Sequence, residues 1–310
     1  MRVELTSLIA PSFYDVHHAI KDGQFTHYWL KGGRGSTKSS FISIEIILGM
    51  MKDPNANAVA LRKVKETLRE SVFEQLAWAI ERLGVAHKWD IPKSKLELTY
   101  LPTGQKILFR GADNPKKIKS TKVSKGYFKY VWYEEVDEFG GMEEIRTINQ
   151  SLLRGGTDFA VFYSYNPPKS QTNWVNAEVK IARPDRLVHH STFLTVPSEW
   201  LGEQFLIEAE HLKATKFVAY EHEYLGKETG TGGEVFGNIT IRRISDEEVK
   251  AFDRIRRGLD WGYAADPLHY QSLHYDKTRK RIYLFYEIHG LGIKFDTLAE
   301  RIKAENKLNE

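Results

Sequence analysis

Gly32-Gly33-Arg34-Gly35-Ser36-Thr37-Lys38-Ser39 lies between an apolar, strand-like run, His27-Tyr28-Trp29-Leu30, and an isoleucine-rich segment from Phe41 to Met51. Strand, glycine-rich loop and helix in that order predict a phosphate-binding loop. Backbone N–H groups curl around a triphosphate only where side chains do not obstruct them, which calls for glycine. The helix N-terminus then faces the anion, a lysine reaches the β- and γ-phosphates, and a hydroxyl reaches Mg²⁺. Lys38 and Ser39 fit the last two roles, and Gly32 to Thr37 supply the cradle. Arg34, inside the loop, is a candidate for a charge-stabilising cation supplied in cis. One departure stands out: Thr37 precedes the lysine where the usual pattern has glycine.

With 310 residues the chain has room for one large domain or two ordinary ones. Its 41% hydrophobic and 28% charged residues are those of a globular protein. No apolar run approaches the length of a membrane span, and the N-terminus lacks the order of a secretory signal. The absence of cysteine excludes disulfides and thiolate metal sites and suits a reducing compartment. A net charge of +4 permits nucleic-acid contact without requiring it.

Along the first ~200 residues strand-like and helix-like patterns alternate, which predicts an α/β domain with a largely parallel sheet. The candidate strands are His27–Leu30, Ala58–Arg62, Lys129–Tyr133 and Phe159–Tyr165. Leu96–Tyr100 and Lys106–Phe109 flank Pro102-Thr103-Gly104 and read as a hairpin. Leu68, Val72, Leu76, Ile80 and Leu83 form one apolar helical face, a core stripe. Pro197 to Tyr224 reads as helical, and the glycine-dense tract from Leu225 to Gly233 as a boundary or hinge. Arg256–Trp261, Tyr270–Tyr275 and Arg281–Ile288 follow as strands, then a polar helix over Asp296–Lys307. The domains expected are a P-loop ATPase over 1–196, a helical hinge region over 197–250, and a further domain from 251 to 310.

The second strong signal is Tyr130-Val131-Trp132-Tyr133-Glu134-Glu135, an apolar strand ending in paired carboxylates. Beside a phosphate loop, Glu134 is assigned to the Mg²⁺ and Glu135 to the attacking water. The strand Phe159–Tyr165 runs out in Ser164-Tyr165-Asn166-Pro167-Pro168. Ser164 and Asn166 read equally as groups that sense the γ-phosphate and as a Pro-terminated strand exit. Arg110 to Lys129 is rich in lysine, with Lys116, Lys117, Lys119, Lys122 and Lys125. It reads as an exposed loop, including Tyr127-Phe128, that contacts a phosphodiester backbone or a neighbouring subunit's nucleotide, and equally, for any single lysine, as a solvated lysine-rich loop. Phe13, Tyr14 and Gln24 are guesses for an adenine pocket. Asp260, at the end of Arg256-Arg257-Gly258-Leu259-Asp260, and Glu287 on a later strand can converge on divalent metals. His269, His274 and His289 are read as structural or exposed rather than as ligands.

Together these stretches resemble the large terminase subunit of tailed bacteriophages. The resemblance rests on Gly33 to Ser39, on Val131-Trp132-Tyr133-Glu134-Glu135, and on Tyr163-Ser164-Tyr165-Asn166-Pro167. It extends to Gly230-Thr231-Gly232-Gly233-Glu234-Val235-Phe236 as the linker and Gly258-Leu259-Asp260-Trp261-Gly262 as the first nuclease strand. It implies an ASCE-type P-loop NTPase sheet flanked by helices, followed by the beginning of an RNase H-like nuclease domain. It further implies an ATP- and Mg²⁺-dependent motor moving double-stranded DNA into a procapsid, and an endonuclease using Mg²⁺ or Mn²⁺ at Asp260 and Glu287. The implied partners are DNA, a portal protein, a small terminase subunit and further copies in a ring, in the host cytoplasm without a membrane. The family's nuclease carries a further aspartate on a later strand. Nothing after Glu287 resembles it, so 251–310 is expected to be the N-terminal part of that domain. A P-loop kinase, a helicase-like ATPase and a nucleotide-gated DNA-binding module are the alternatives.

Overall fold

The computed structural model describes residues 4–113, 118, 121–230, 240–263 and 266–308. The chain divides into two compact units, Met1–Val235 and Phe236–Glu310.

The first unit is built on one sheet. Its strands are β1 (His27–Gly32), β2 (Ala56–Arg62), β3 (Trp89–Asp90), β4 (Glu97–Tyr100), β5 (Gln105–Gly111), β6 (Tyr127–Glu134), β7 (Ala160–Tyr165) and β8 (Arg186–Ser191). They lie side by side in the order β3-β4-β5-β2-β6-β7-β1-β8. From β5 to β8 the pairing is parallel; β3 and β4 add antiparallel at the other edge. All seven residues of β2 and all six of β7 are buried, as expected where helices cover both faces of a parallel sheet. Isoleucines of α2 (Lys38–Lys52) and Phe13, before α1 (Tyr14–Lys21), fill one face with Leu76 and Ile80 of α3 (Glu74–Arg82). Trp29, Tyr133 and Tyr163 stack on the other face against Ile145 and Ile148 of α4 (Met142–Leu152), with Val175 of α5 (Trp174–Glu178).

The parallel α/β sheet and the β4–β5 hairpin agree with the reading of the sequence. Strands β3 and β8 and helix α4 are additions. The stripe from Leu68 to Ile80 is buried, but its backbone is 3₁₀ and then π-helical until Phe73 and becomes α-helical at Glu74. Tyr127, Phe128 and Lys129 belong to β6 rather than to an exposed loop: Phe128 is buried, and Lys129 pairs with Asp158 at 2.5 Å. Lys116, Lys117 and Lys119 lie outside the described residues.

The expected hinge region at 197–250 is divided differently. Residues 198–223 form α6 (Ser198–Leu201), α7 (Glu203–Thr215) and α8 (Phe217–Glu223), broken at Gly202 and Lys216, all in the first unit. An aromatic cluster of Phe193, Phe205, Tyr220 and Tyr224 holds them to the end of β8. Of the tract 230–236 quoted for the linker, all but Gly230 lies outside the described residues.

The second unit is a three-stranded antiparallel sheet, β9 (Ile255–Asp260), β10 (Leu268–Asp276) and β11 (Arg281–Gly290), in the order β11-β10-β9. A short helix α9 (Asp246–Lys250), closed by a Ser245–Glu248 capping box, precedes it, and α10 (Phe295–Leu308) follows. Leu268, Tyr270, Ile288 and Leu298 form its core, so one sheet face is turned to α10. Among the described residues no helix is long and apolar enough to cross a membrane.

Candidate active site at the carboxyl edge of the sheet

In a parallel α/β sheet, ligands bind beyond the carboxyl ends of the strands. Here the register fixes what meets there. Leu30 of β1 is level with Ser164 of β7, and Ser164 is level with Glu134 of β6. Because β7 lies between β1 and β6, the residue that ends the carboxylate strand and the loop that follows β1 face each other across one inserted strand. A cleft of about 530 Å³ opens there, lined by the loop from Gly33 to Ser40, by Glu134, Glu135, Asp137 and Glu138, and by Ser164 to Asn166.

The loop's backbone explains its composition. Gly35 has φ +73°, and a methyl there would stand 2.5 Å from the Phe205 ring; at Gly33 it would stand 1.9 Å from the Tyr224 carbonyl oxygen. Thr37 takes φ 61° and ψ 20°, the left-handed conformation that glycine adopts freely and a β-branched residue does not. Its hydroxyl is buried without a partner. The non-glycine residue noted in the sequence thus occupies a position whose geometry is glycine's.

Lys38 opens α2 and is buried. Its ammonium donates to the carbonyls of Gly32 and Gly33, both at 3.1 Å, to Ser36 Oγ at 3.0 Å and to Asn166 Oδ1 at 2.9 Å. Burial lowers its pKa to about 8, against the opposing pull of Glu134. Ser39 Oγ donates to Glu134 Oε1 at 2.8 Å, while the Ser164 hydroxyl donates to the other carboxylate oxygen and receives the Trp132 indole N–H at 2.7 Å. Burial raises the pKa of Glu134, and the two serine hydrogen bonds work against that rise. Asp137 is pushed up to about 6 chiefly by burial.

Glu135 follows in the left-handed conformation, φ 53°. This turn, rather than gradual strand twist, brings both carboxylates to the cleft. The Glu135 carboxylate is ion-paired with Arg62, the last residue of β2, whose guanidinium also lies 3.9 Å from Glu138. Sequence reading missed Arg62; its only signal was a charge ending an otherwise uncharged strand.

Of the residues singled out in the sequence, Arg34 to Ser39, Glu134, Glu135, Ser164 and Asn166 meet at the cleft, with Gly32 at its base. Phe13, Tyr14 and Gln24 do not line it. Phe13 lies in the core with its ring stacked 4.5 Å from Phe41. The hard oxygens of Ser39 and Glu134, side by side at the open cleft, are a donor set that suits Mg²⁺.

In the second unit, Asp260 is level with His269, and Gln271 with Glu287. Asp260 and Glu287 therefore share the sheet face turned away from Leu268 and Tyr270, with β10 between their strands. Among the described residues no group of three or more His, Cys, Asp or Glu is gathered as a metal centre.

Loop, inserted strand and paired carboxylates define the first unit as a P-loop NTPase of the ASCE type. The family model described as phage terminase large subunit matches residues 24–227. The large terminase subunit of Bacillus phage SPP1 is 43% identical over 303 residues, covering 94% of this chain and 71% of its own. The PBSX phage terminase large subunit of Bacillus subtilis (strain 168) is 25% identical over 325 residues, covering 95% and 71%. The chain belongs to the phage terminase large subunit family. Solved large terminases share the fold: one from a thermophilic bacteriophage has a TM-score of 0.57 at 14% identity, covering 96% of this chain and 73% of its own. That of bacteriophage HK97 has a TM-score of 0.52 at 15% identity, covering 99% and 66%.

Proposed function

We propose that this chain hydrolyses ATP to drive double-stranded DNA into a procapsid. The observation that carries the reading is the convergence of Lys38, Ser39, Glu134, Ser164 and Asn166 at one cleft beside a phosphate loop. The large terminase of the thermophilic bacteriophage, which shares the fold, has been solved with ADP and with ATP-γ-S. The loop N–H groups and Lys38 bind the phosphates; Arg34, exposed at the cleft, stabilises charge growing on the γ-phosphate. Ser39 and Glu134 would hold Mg²⁺, which neutralises phosphate charge when bound. Ser164 fixes the rotamer of Glu134, and Asn166 reaches the space the γ-phosphate enters. Glu135 orients the attacking water and takes its proton once its carboxylate leaves Arg62.

DNA, a portal protein, a small subunit and further copies in a ring are the proposed partners, in the host cytoplasm. The Phe236–Glu310 unit is proposed to belong to an RNase H-like nuclease, with Asp260 and Glu287 as acidic ligands for Mg²⁺ or Mn²⁺. The test is ATP turnover with and without double-stranded DNA. Lys38→Ala should abolish nucleotide binding, and Glu135→Gln should leave binding intact while slowing turnover by about 10²–10⁴. Unchanged turnover in Glu135→Gln, or hydrolysis that responds to a small phosphate acceptor and not to DNA, would refute the proposal.

A further inference from the structure

The hairpin register of the second unit does something that sequence spacing conceals. His269 and His289, twenty positions apart, stand directly opposite each other on β10 and β11. Each neighbours buried core residues (Leu268 and Tyr270 on one strand, Ile288 on the other), so both imidazoles project from the opposite, open face. Their Nδ1 atoms are 3.3 Å apart and their ring centroids 5.4 Å apart. A tetrahedral ion bound by two nitrogens at about 2.0–2.1 Å separates them by about 3.3–3.4 Å. The pair is already at the bite of a chelate.

We propose that His269 and His289 form a binding site for a divalent transition ion of the Zn²⁺, Ni²⁺ or Cu²⁺ kind. Imidazole nitrogens select that class over Mg²⁺, Mn²⁺ and Ca²⁺, which prefer oxygen. This separates the site in chemistry from any centre built on Asp260 and Glu287, although all four residues share one sheet face. Asp260 is level with His269 on the other side, yet among the described residues no third ligand completes a cluster. Two protein ligands therefore hold the ion, and its other positions remain for water or an anionic oxygen.

The test is calorimetric titration of the whole chain with Zn²⁺ and, separately, Mg²⁺, together with Cu²⁺ electron paramagnetic resonance. Zn²⁺ should bind and Mg²⁺ should leave the site empty. His289→Ala and His269→Ala should each weaken Zn²⁺ binding at least about tenfold, because losing a ligand costs no less than losing a group that merely supports one. His17→Ala, which removes a histidine paired with Glu45 elsewhere, should leave this affinity unchanged. The bound Cu²⁺ should show coupling to two nitrogens. Zn²⁺ affinity unchanged from the parent in both His variants, or a one-nitrogen Cu²⁺ spectrum, would show that the rings only hydrogen-bond to each other. His289 is exposed, so its variant should melt like the parent, and loss of the two-nitrogen Cu²⁺ signal in that folded variant assigns the signal to this pair.

Discussion

Lys38 Nζ lies 2.9 Å from Asn166 Oδ1, so the first residue of α2 is tied to the residue beyond the inserted strand β7. Three further acceptors surround the same ammonium. In this arrangement the ammonium is held chiefly by oxygens of its own loop.

The lowered pKa of Lys38, about 8 against 10.5 in an unfolded chain, gives a pH prediction with a definite sign. Between those values the folded protein holds fewer protons than the unfolded one, so this group adds stability as pH rises from about 8 towards 10.5. Nucleotide binding has the opposite dependence, because phosphate favours the ammonium. From pH 7 to 9 nucleotide affinity should fall about tenfold through this group, with uptake of nearly one proton at about pH 9. Calorimetry in two buffers of different ionisation enthalpy measures the uptake; equal affinities at the two pH values would contradict it.

Arg62→Ala should release Glu135. While the ion pair holds, the carboxylate is engaged by the guanidinium and is not free to orient a water. Basal ATP hydrolysis should rise several-fold, while the stimulation given by DNA shrinks. Steady-state turnover with and without DNA reads both, and a fall in basal rate at unchanged nucleotide affinity would assign Arg62 to catalysis instead.

Thr37→Gly should stabilise the protein. Left-handed backbone costs a non-glycine residue about 1–2 kcal/mol, and the orphaned buried hydroxyl adds to that cost. Glycine returns about 0.5–1 kcal/mol through the flexibility of the unfolded chain. A net gain of about 1 kcal/mol is expected in denaturant unfolding of the first unit; a lower midpoint would mean that the threonine makes a contact worth more than its strain.

Ser164→Ala should cost about 1–3 kcal/mol, because it strands the buried Trp132 indole N–H and removes a hydrogen bond from Glu134. Turnover should fall while nucleotide affinity, carried by the loop and Lys38, changes little. Ser164→Thr retains the hydroxyl and should recover much of the turnover if the added methyl is accommodated.

The sequence by itself determined the phosphate loop, the carboxylate strand and the alternation that makes the sheet parallel. Each is local: glycine where backbone must approach an anion, apolar runs where both sheet faces are covered, acids where a strand ends. What only the tertiary structure decided is pairing between distant segments. Strand order and register set Ser164 on Glu134, gave Glu135 to Arg62, and placed His269 beside His289. The helices after residue 197 followed the same rule: an aromatic cluster, not local propensity, binds them to the nucleotide-loop unit. Hydrogen-bond register and side-chain packing act between residues far apart in the chain, and a string of residue types carries no direct record of them.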